Sequence, residues 1–297
     1  MIDKLEFLLA LAREQHFGRA AEACGVTQPT LSAGVKQLED SFGVLLVNRG
    51  SRFQDFTPEG ERVLDWARRI VGDARAMRQE VHSLKHGLTG RLRIAAIPMA
   101  LAMIEPLTAL YHERHPEVLF TVLSHNAQDI LRLIDNLEID AGVTYLDSDP
   151  VSRVIGVPFY RERYCLLISA DAPLGTRDKV TWAEVAQVPL CLLTPDTQSR
   201  RIIEGLLRDA GGDPKPALES DSMIVLYSHV RTGRWASVMP AQLAATLGLT
   251  DVLRAIPIVE PDARHTIGLL VPARQPMKPL TAALVEEARR LAPTLAD

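Results

Sequence analysis

The sequence predicts an α/β protein in three stretches. An all-α winged helix-turn-helix covers residues 1–59, a linker helix covers 60–89, and a two-subdomain α/β domain covers 90–297. Three observations carry this. Helical periodicity and turn signals alternate closely over the first 43 residues. An unbroken 4–3 spacing of apolar residues follows, and after residue 90 short apolar runs alternate with amphipathic ones. At 297 residues the chain is also long for a single core.

Residues 3–14 place Leu5, Leu8, Leu9 and Ala12 on one helical face. Residues 18–24 form a second short helix, closed by Gly25. Thr27 is the expected N-cap of a third, with Pro29 in its first turn and Gly43 at its end. Leu31, Val35, Leu38 and Phe42 form its inward stripe, while Ala33, Lys36, Gln37 and Asp40 point away and Thr30 and Ser32 lie at the borders. Two helices joined through a glycine turn match a helix-turn-helix. The outward face is short and polar enough to enter a major groove; it reads equally as a solvated helix surface. Residues 44–57 follow as a β-wing, with Arg49 and Arg52 flanking its turn, within reach of phosphates or a minor groove.

Thr57 and Pro58 open a long helix that runs to Gly87. Its apolar positions Val63, Ala67, Ile70, Ala74, Met77, Val81 and Leu84 repeat as heptads and predict a dimerising coiled-coil seam, thin at the two alanines. Packing on its own domain is the alternative. Residues 87–90, GLTG, form the expected linker.

Beyond residue 90, RLRIAAI, VLFTVLS and DAGVTY read as strands separated by helices, the first helix running from about Met99 to His115 with a kink at Pro106. A second βα set follows, and TIGLLVP with the helix 278–292 returns to the first. Subdomain I is thus about 91–161 plus 267–297, and subdomain II about 162–266, with a cleft between them.

Composition narrows the function. The chain is 47% hydrophobic and 24% charged, without an apolar run long enough to span a bilayer. The N-terminus has no secretory pattern, which points to the cytoplasm. Cys24, Cys165 and Cys191 form neither a disulfide framework nor a metal spacing. Residues 1–90 hold 12 basic and 12 acidic side chains, so a DNA role must rest on where charges sit rather than on their sum. No nucleophile elbow, P-loop, glycine fingerprint or metal cluster is present, so neither an enzyme nor a cofactor is expected. His82/His86 and His112/His115 stand at helical ligand spacing without an evident third ligand.

Taken together, FGRAAEACGVTQPTLSAGVKQLEDSFGVLLVNR, then FTPEG, IAAIPM, IDAGVTY and HVRTGRWASVMP resemble the LysR-type transcriptional regulators over nearly the whole chain. The resemblance implies a winged helix-turn-helix, a dimerising linker helix, and an effector domain like the periplasmic binding proteins. It implies a homodimer that assembles to a homotetramer, binds an interrupted palindrome in double-stranded DNA, contacts RNA polymerase, and has no membrane role. By this resemblance Gln28, Thr30 and Ser32 are groove contacts, Pro29 sets the helix start, Lys36 and Arg49 are phosphate contacts, and Arg52 is a wing contact. Ala20 is similar to the small residue that lets two helices cross. Gly34, which costs about 1 kcal/mol in a helix relative to Ala, is expected to permit close approach to DNA. Val47 and Cys24 depart from the family pattern at positions expected to be buried.

In such subdomains ligands sit beyond strand C-termini, at helix N-termini. Pro98, Met99 and Ala100, Asn126, and Thr197, Gln198 and Ser199 meet that description, with Ser220–Ser222 a fourth segment. A small carboxylate is the default effector; plain N-capping explains Asn126, Thr197 and Ser220 equally well. The family often has a hydroxyl near Met99 or Ala100, and Trp235 stands where it has a second glycine; Trp235 is expected to narrow the pocket or wall it. Two alternatives remain: a redox-sensing regulator using Cys165 and Cys191, as in some family members, or a solute-binding protein without a DNA role.

Overall fold

A computed structural model describes residues 1–49, 53–147, 153–249 and 251–295. It divides into two compact units: residues 1–87 with 135–138 and 274–279, and residues 88–134, 139–273 and 280–297.

The first unit begins with α1 (Ile2–Glu14), α2 (Phe17–Ala23) and α3 (Gln28–Phe42). Each helix starts where the local chemistry allows. The His16 imidazole accepts the Gly18 and Arg19 N–H groups at the head of α2 (3.1 and 3.2 Å). Thr27 caps α3 through the Thr30 N–H (3.4 Å). Gly43 ends α3 in the left-handed region at φ 69° and donates to the Glu39 carbonyl. The core is Leu5, Leu8 and Leu11 of α1, Ala20 and Ala21 of α2, and Leu31, Val35 and Leu38 of α3. Phe42, expected on the inward stripe, is 46% exposed. The wing is β1 (Val47–Arg49) paired antiparallel with β2 (Phe53–Phe56).

Two buried polar residues fasten the wing to the helices. Glu39, only 6% exposed, accepts the backbone N–H groups of Leu46 and Val47 (3.0 and 3.3 Å). Thr57 donates to the Leu45 carbonyl (2.7 Å) while capping α4 (Pro58–His86) through the Gly60 N–H (2.9 Å). Gly60 lies so close to the Leu46 carbonyl that a Cβ would fall on it. Gly34 is explained by packing rather than by DNA: it is buried, and a Cβ there would come 2.6 Å from the Phe7 ring of α1.

The long helix α4 corrects part of the heptad expectation. Ala67 is fully buried in the core of its own unit with Leu64 and Val71, and Val63 packs against that core. Ala74 is also buried. The apolar stripe left open is Trp66, Ile70, Met77, Val81 and Leu84, between 40% and 83% exposed. Periodicity alone could not separate the face buried in the core of the first unit from the face that meets solvent.

The second unit contains β3 (Gly90–Ala96), a 3₁₀ turn (Pro98–Met103), α5 (Ile104–Arg114), β4 (Val118–Ser124), α6 (Ala127–Asp135), β5 (Ala141–Tyr145), β6 (Val154–Ser169), β7 (Val180–Thr181), α7 (Trp182–Val185), β8 (Cys191–Leu193), α8 (Gln198–Asp209), β9 (Leu218–Ser220), α9 (Met223–Val230), β10 (Ser237–Pro240), α10 (Ala241–Thr246), β11 (Leu253–Val259), β12 (Arg264–Pro272) and α11 (Pro279–Leu291). Pro106 sits in the first turn of α5, where it lacks only an N–H that would be unpaired anyway, so the expected kink becomes a helix start. The main sheet runs β4-β3-β5-β12-β6-β11-β7, with β10 also on β6. β6 pairs with β12 over residues 154–163 and with β10 and β11 over 164–169, so one strand serves both subdomains.

These contacts predict opposite signs for two glycine substitutions. Gly60→Ala must push the wing carbonyl away and should destabilise the first unit by about 3 kcal/mol. Gly205→Ala, inside α8 with open space around its Cβ position, should stabilise by up to about 1 kcal/mol. Thermal unfolding of the full chain checks both; a Gly60→Ala protein that melts with the parent would show that the close approach is not needed.

Candidate functional site

Two surfaces collect the polar groups that the core does not explain. The first is the start of α3. Gln28, Pro29 and Thr30 are exposed, Ser32 is half-buried, and Ala33, Lys36, Gln37 and Asp40 are exposed further along. The helix is held from behind by Leu31, Val35 and Leu38, so its outward residues sit on a rigid element. The Thr30 hydroxyl shares a 2.9 Å hydrogen bond with Thr27, which fixes its rotamer against the cap. Ala20, wholly buried, allows the close crossing of α2. Val47 is buried as expected and Cys24 is half-buried. Arg49 ends β1, and Arg52 lies outside the described residues.

The second surface is the seam between the two subdomains, at the changeover of β6. Alternate residues of a strand share a face, and in YRERY that face carries Tyr160, Glu162 and Tyr164, all buried, with Arg161 exposed and Arg163 half-buried on the other. Glu162 is 0% exposed. Its Oε1 accepts the Tyr145 hydroxyl at 2.7 Å. That hydroxyl has one proton, which goes to Glu162, so it accepts from Ser199 Oγ at 3.1 Å. Tyr145 ends β5 of subdomain I, and Ser199 lies in the first turn of α8 in subdomain II. One chain of hydrogen bonds therefore crosses the seam.

The group is under-satisfied. Glu162 Oε2 and the hydroxyls of Tyr160, Tyr164 and Thr194 are buried without a hydrogen-bond partner. Burial pushes the Glu162 carboxyl up to about 7, against a weaker downward pull from the Tyr145 hydrogen bond. Burial, reinforced by the Glu162 charge, pushes the Tyr145 and Tyr164 phenols far above their usual range. The rings of Tyr145 and Tyr164 each stand 6.0 Å from His265 of β12, and Tyr164 lies edge-on to Trp182 at 5.8 Å.

The expected effector segments are only partly brought together here. Ser199 joins the Glu162 group. Thr197 is 4% exposed and is spent as the cap of α8, accepting the Arg200 N–H at 3.3 Å. Gln198 is half-buried. Asn126 caps α6 through the Asp129 N–H (2.9 Å). Pro98, Met99 and Ala100 are buried, Met99 inside the apolar core of subdomain II, and the Ala100 N–H, expected to be free, donates to Ile97 (2.9 Å). Trp235 is half-buried against the core of subdomain II and stacks on His229 at 5.5 Å. Sequence reasoning missed Tyr145, Glu162 and Tyr164. The visible signal was a strand with three polar-tipped residues at alternate positions, running straight into the apolar CLLIS.

The cysteines of the redox alternative, Cys165 and Cys191, lie in the apolar core of subdomain II. Cys165 is 2% exposed and Cys191 is fully buried, their thiols facing the carbonyls of Met239 (3.4 Å) and Ala236 (3.5 Å). Burial pushes them up to about 12 and about 11, which leaves little thiolate at neutral pH. Among the described residues no group of three or more His, Cys, Asp or Glu side chains could hold a metal ion, and no helix is long and apolar enough to cross a membrane.

Comparison with known proteins adds the family. Residues 2–61 match the model for the bacterial regulatory helix-turn-helix protein of the lysR family, and residues 85–293 match the LysR substrate binding domain. The DNA-binding transcriptional dual regulator OxyR of Escherichia coli is 29% identical over 97% of this chain and 94% of its own length. A full-length cysteine-to-aspartate variant of OxyR from Pseudomonas aeruginosa superposes with a TM-score of 0.78 at 26% identity, covering 98% of this chain and 99% of that one. CbnR, a LysR family transcriptional regulator, shares the fold at 20% identity and a TM-score of 0.64, covering 98% and 99%.

The buried carboxyl makes stability depend on pH. The unfolded group titrates near 4.5 and the folded one near 7. Between those values the folded chain keeps a proton that the unfolded chain has lost. Stability is therefore highest below pH 4.5 for this group, falls as pH rises to about 7, and is flat above. Glu162→Gln should remove that slope and exceed the parent at pH 8 by up to ~3 kcal/mol, with the gap closing toward pH 5. Parallel melting curves at the two pH values that keep a constant gap would refute it.

Proposed function

The chain belongs to the LysR family of transcriptional regulators, and we propose that it reads operator DNA with the first turn of α3, pairs with a second copy through α4, and answers a small molecule bound at the subdomain seam. Its family acts in transcription rather than catalysis. The observation that carries the reading is the exposed, capped start of α3. Gln28, Thr30 and Ser32 stand at its outer side or border behind Pro29, short enough to approach base edges and polar enough to bond them. Lys36 on the next turn, Arg49 at the end of β1, and Arg52, three residues further along the sequence, take the phosphates. With first-unit charges that cancel, placement of these cations carries the electrostatics.

A two-fold pair of such units reads an interrupted palindrome, and the open stripe of Ile70, Met77, Val81 and Leu84, joined by Trp66, supplies the pairing surface. Two pairs form the homotetramer, which acts on RNA polymerase in the cytoplasm. The seam group of Tyr145, Glu162, Tyr164 and Ser199 supports an effector site because it links both subdomains and leaves buried polar atoms unpaired. Several relatives are named hydrogen peroxide-inducible genes activators. The burial of Cys165 and Cys191 weighs against those two thiols as sensors here.

Footprinting on the DNA upstream of the protein's own gene tests the reading. Gln28→Ala should weaken operator binding by about 1–3 kcal/mol while leaving sedimentation unchanged; undiminished affinity would remove Gln28 from the interface. Replacing Ile70 and Met77 with Asp should give monomers in sedimentation velocity, and a variant that stays dimeric would place the pairing surface elsewhere.

A further inference from the structure

We infer that the subdomain seam takes a small molecule bearing an ammonium group, which the Glu162 carboxylate holds among the rings of Tyr145, Tyr164 and His265. This rests on the seam as the effector site and narrows what can occupy it.

The argument begins with what Glu162 lacks. One of its oxygens receives the Tyr145 hydroxyl; the other has no donor, although the side chain is completely buried. Buried carboxylates are matched by cations or several hydrogen-bond donors. Neither is supplied to Oε2 by the described residues. The Tyr145 hydroxyl that serves the other oxygen is tied to Ser199 in the first turn of α8, so the carboxyl lies at the junction of the two subdomains.

Arg161 and Arg163, the chain neighbours of Glu162, lie on the other face of β6, and the cations of α8 and β12 are committed elsewhere. Arg200, the residue after Ser199, is 3% exposed, gives Nε and Nη2 to Glu204 (2.9 and 2.7 Å), and gives Nη1 to Glu219 and the Leu193 carbonyl (2.8 and 2.6 Å). Arg264 is bidentate on Asp262. His265 faces Asp147, which also accepts the Thr266 N–H. An incoming carboxylate would meet Glu162 with its counter-charges spent, and like charges in a water-poor site repel strongly. An ammonium would instead supply donors to Oε2 and to the unpartnered hydroxyl oxygen of Tyr164. The ring faces of Tyr145 and Tyr164 attract a cation as well. The default of a small carboxylate came from helix N-termini; the charge found at this one is negative.

The test uses three probes of one shape, propylammonium, propionamide and propionate, titrated calorimetrically into the full chain at pH 8, where Glu162 is ionised, with sodium chloride as the ionic control. Propylammonium should bind, propionate should not, and Glu162→Gln should weaken propylammonium at least tenfold. Tyr145→Phe, which keeps the carboxylate but cuts the link to Ser199, serves as the second variant, and the melting curve of each variant confirms folding. Propionate binding in preference to propylammonium, lost in Tyr145→Phe, overturns the ammonium assignment and leaves the seam as the effector site. Binding of any probe that neither substitution alters places the ligand elsewhere and overturns both. Absence of binding by propylammonium overturns the assignment.

Discussion

The second unit depends on one strand changing partners. β6 is bonded to β12 along its first ten residues and to β10 and β11 along its last six. Neither subdomain has a complete sheet without it. Glu162 sits one pair before the changeover, opposite His265, so a fully buried carboxyl lies where the two halves share a strand. A buried charge in a strand interior is tolerated only if something repays it. Here Tyr145 offers partial repayment from one half, and Ser199 supports Tyr145 from the other.

Two of the buried glutamates, Glu39 and Glu162, have their hydrogen-bonding needs met to different degrees. Glu39 takes two backbone N–H groups from the start of the wing, donors that would otherwise be unpaired at a strand end. It fixes the position of β1 against α3, and with Thr57 it makes the wing a rigid continuation of the helices. Glu162 takes one phenol and keeps an oxygen in reserve. The first carboxylate is matched within its own unit; the second leaves one oxygen unmatched among the described residues.

Much of the first unit was legible in the sequence because its signals are local. Thr27, Pro29, Gly43, Thr57 and Pro58 mark helix ends through capping and dihedral preference, and each operates within a few residues. Gly34 was visible but its meaning was not, since Phe7 approaches it from a different helix. The heptad on α4 was visible too, yet period alone does not say which apolar residues enter the core of their own unit and which meet solvent. Val63 and Ala67 went to the first and Ile70 and Met77 to the second. The seam was hardest to read. Tyr145, Glu162 and Ser199 are separated by 17 and 37 residues, and only the pairing of β5, β12 and β6 with the placement of α8 brings them together. Of the helix N-termini that sequence rules favour, those at Asn126 and Thr197 were spent on their own caps.

The way the chain leaves and re-enters subdomain I has a genealogical consequence. Arg163 on β6 and Arg264 on β12 are direct partners across the ladder. Everything between them forms subdomain II, and its two ends are no further apart than neighbouring strands. A segment bounded in this way can be lengthened, exchanged or replaced by a turn without moving the residues that flank it. Subdomain II is, in that sense, a long hairpin loop that acquired a core of its own. Half of the candidate binding seam can therefore diverge while the sheet that anchors it stays in register.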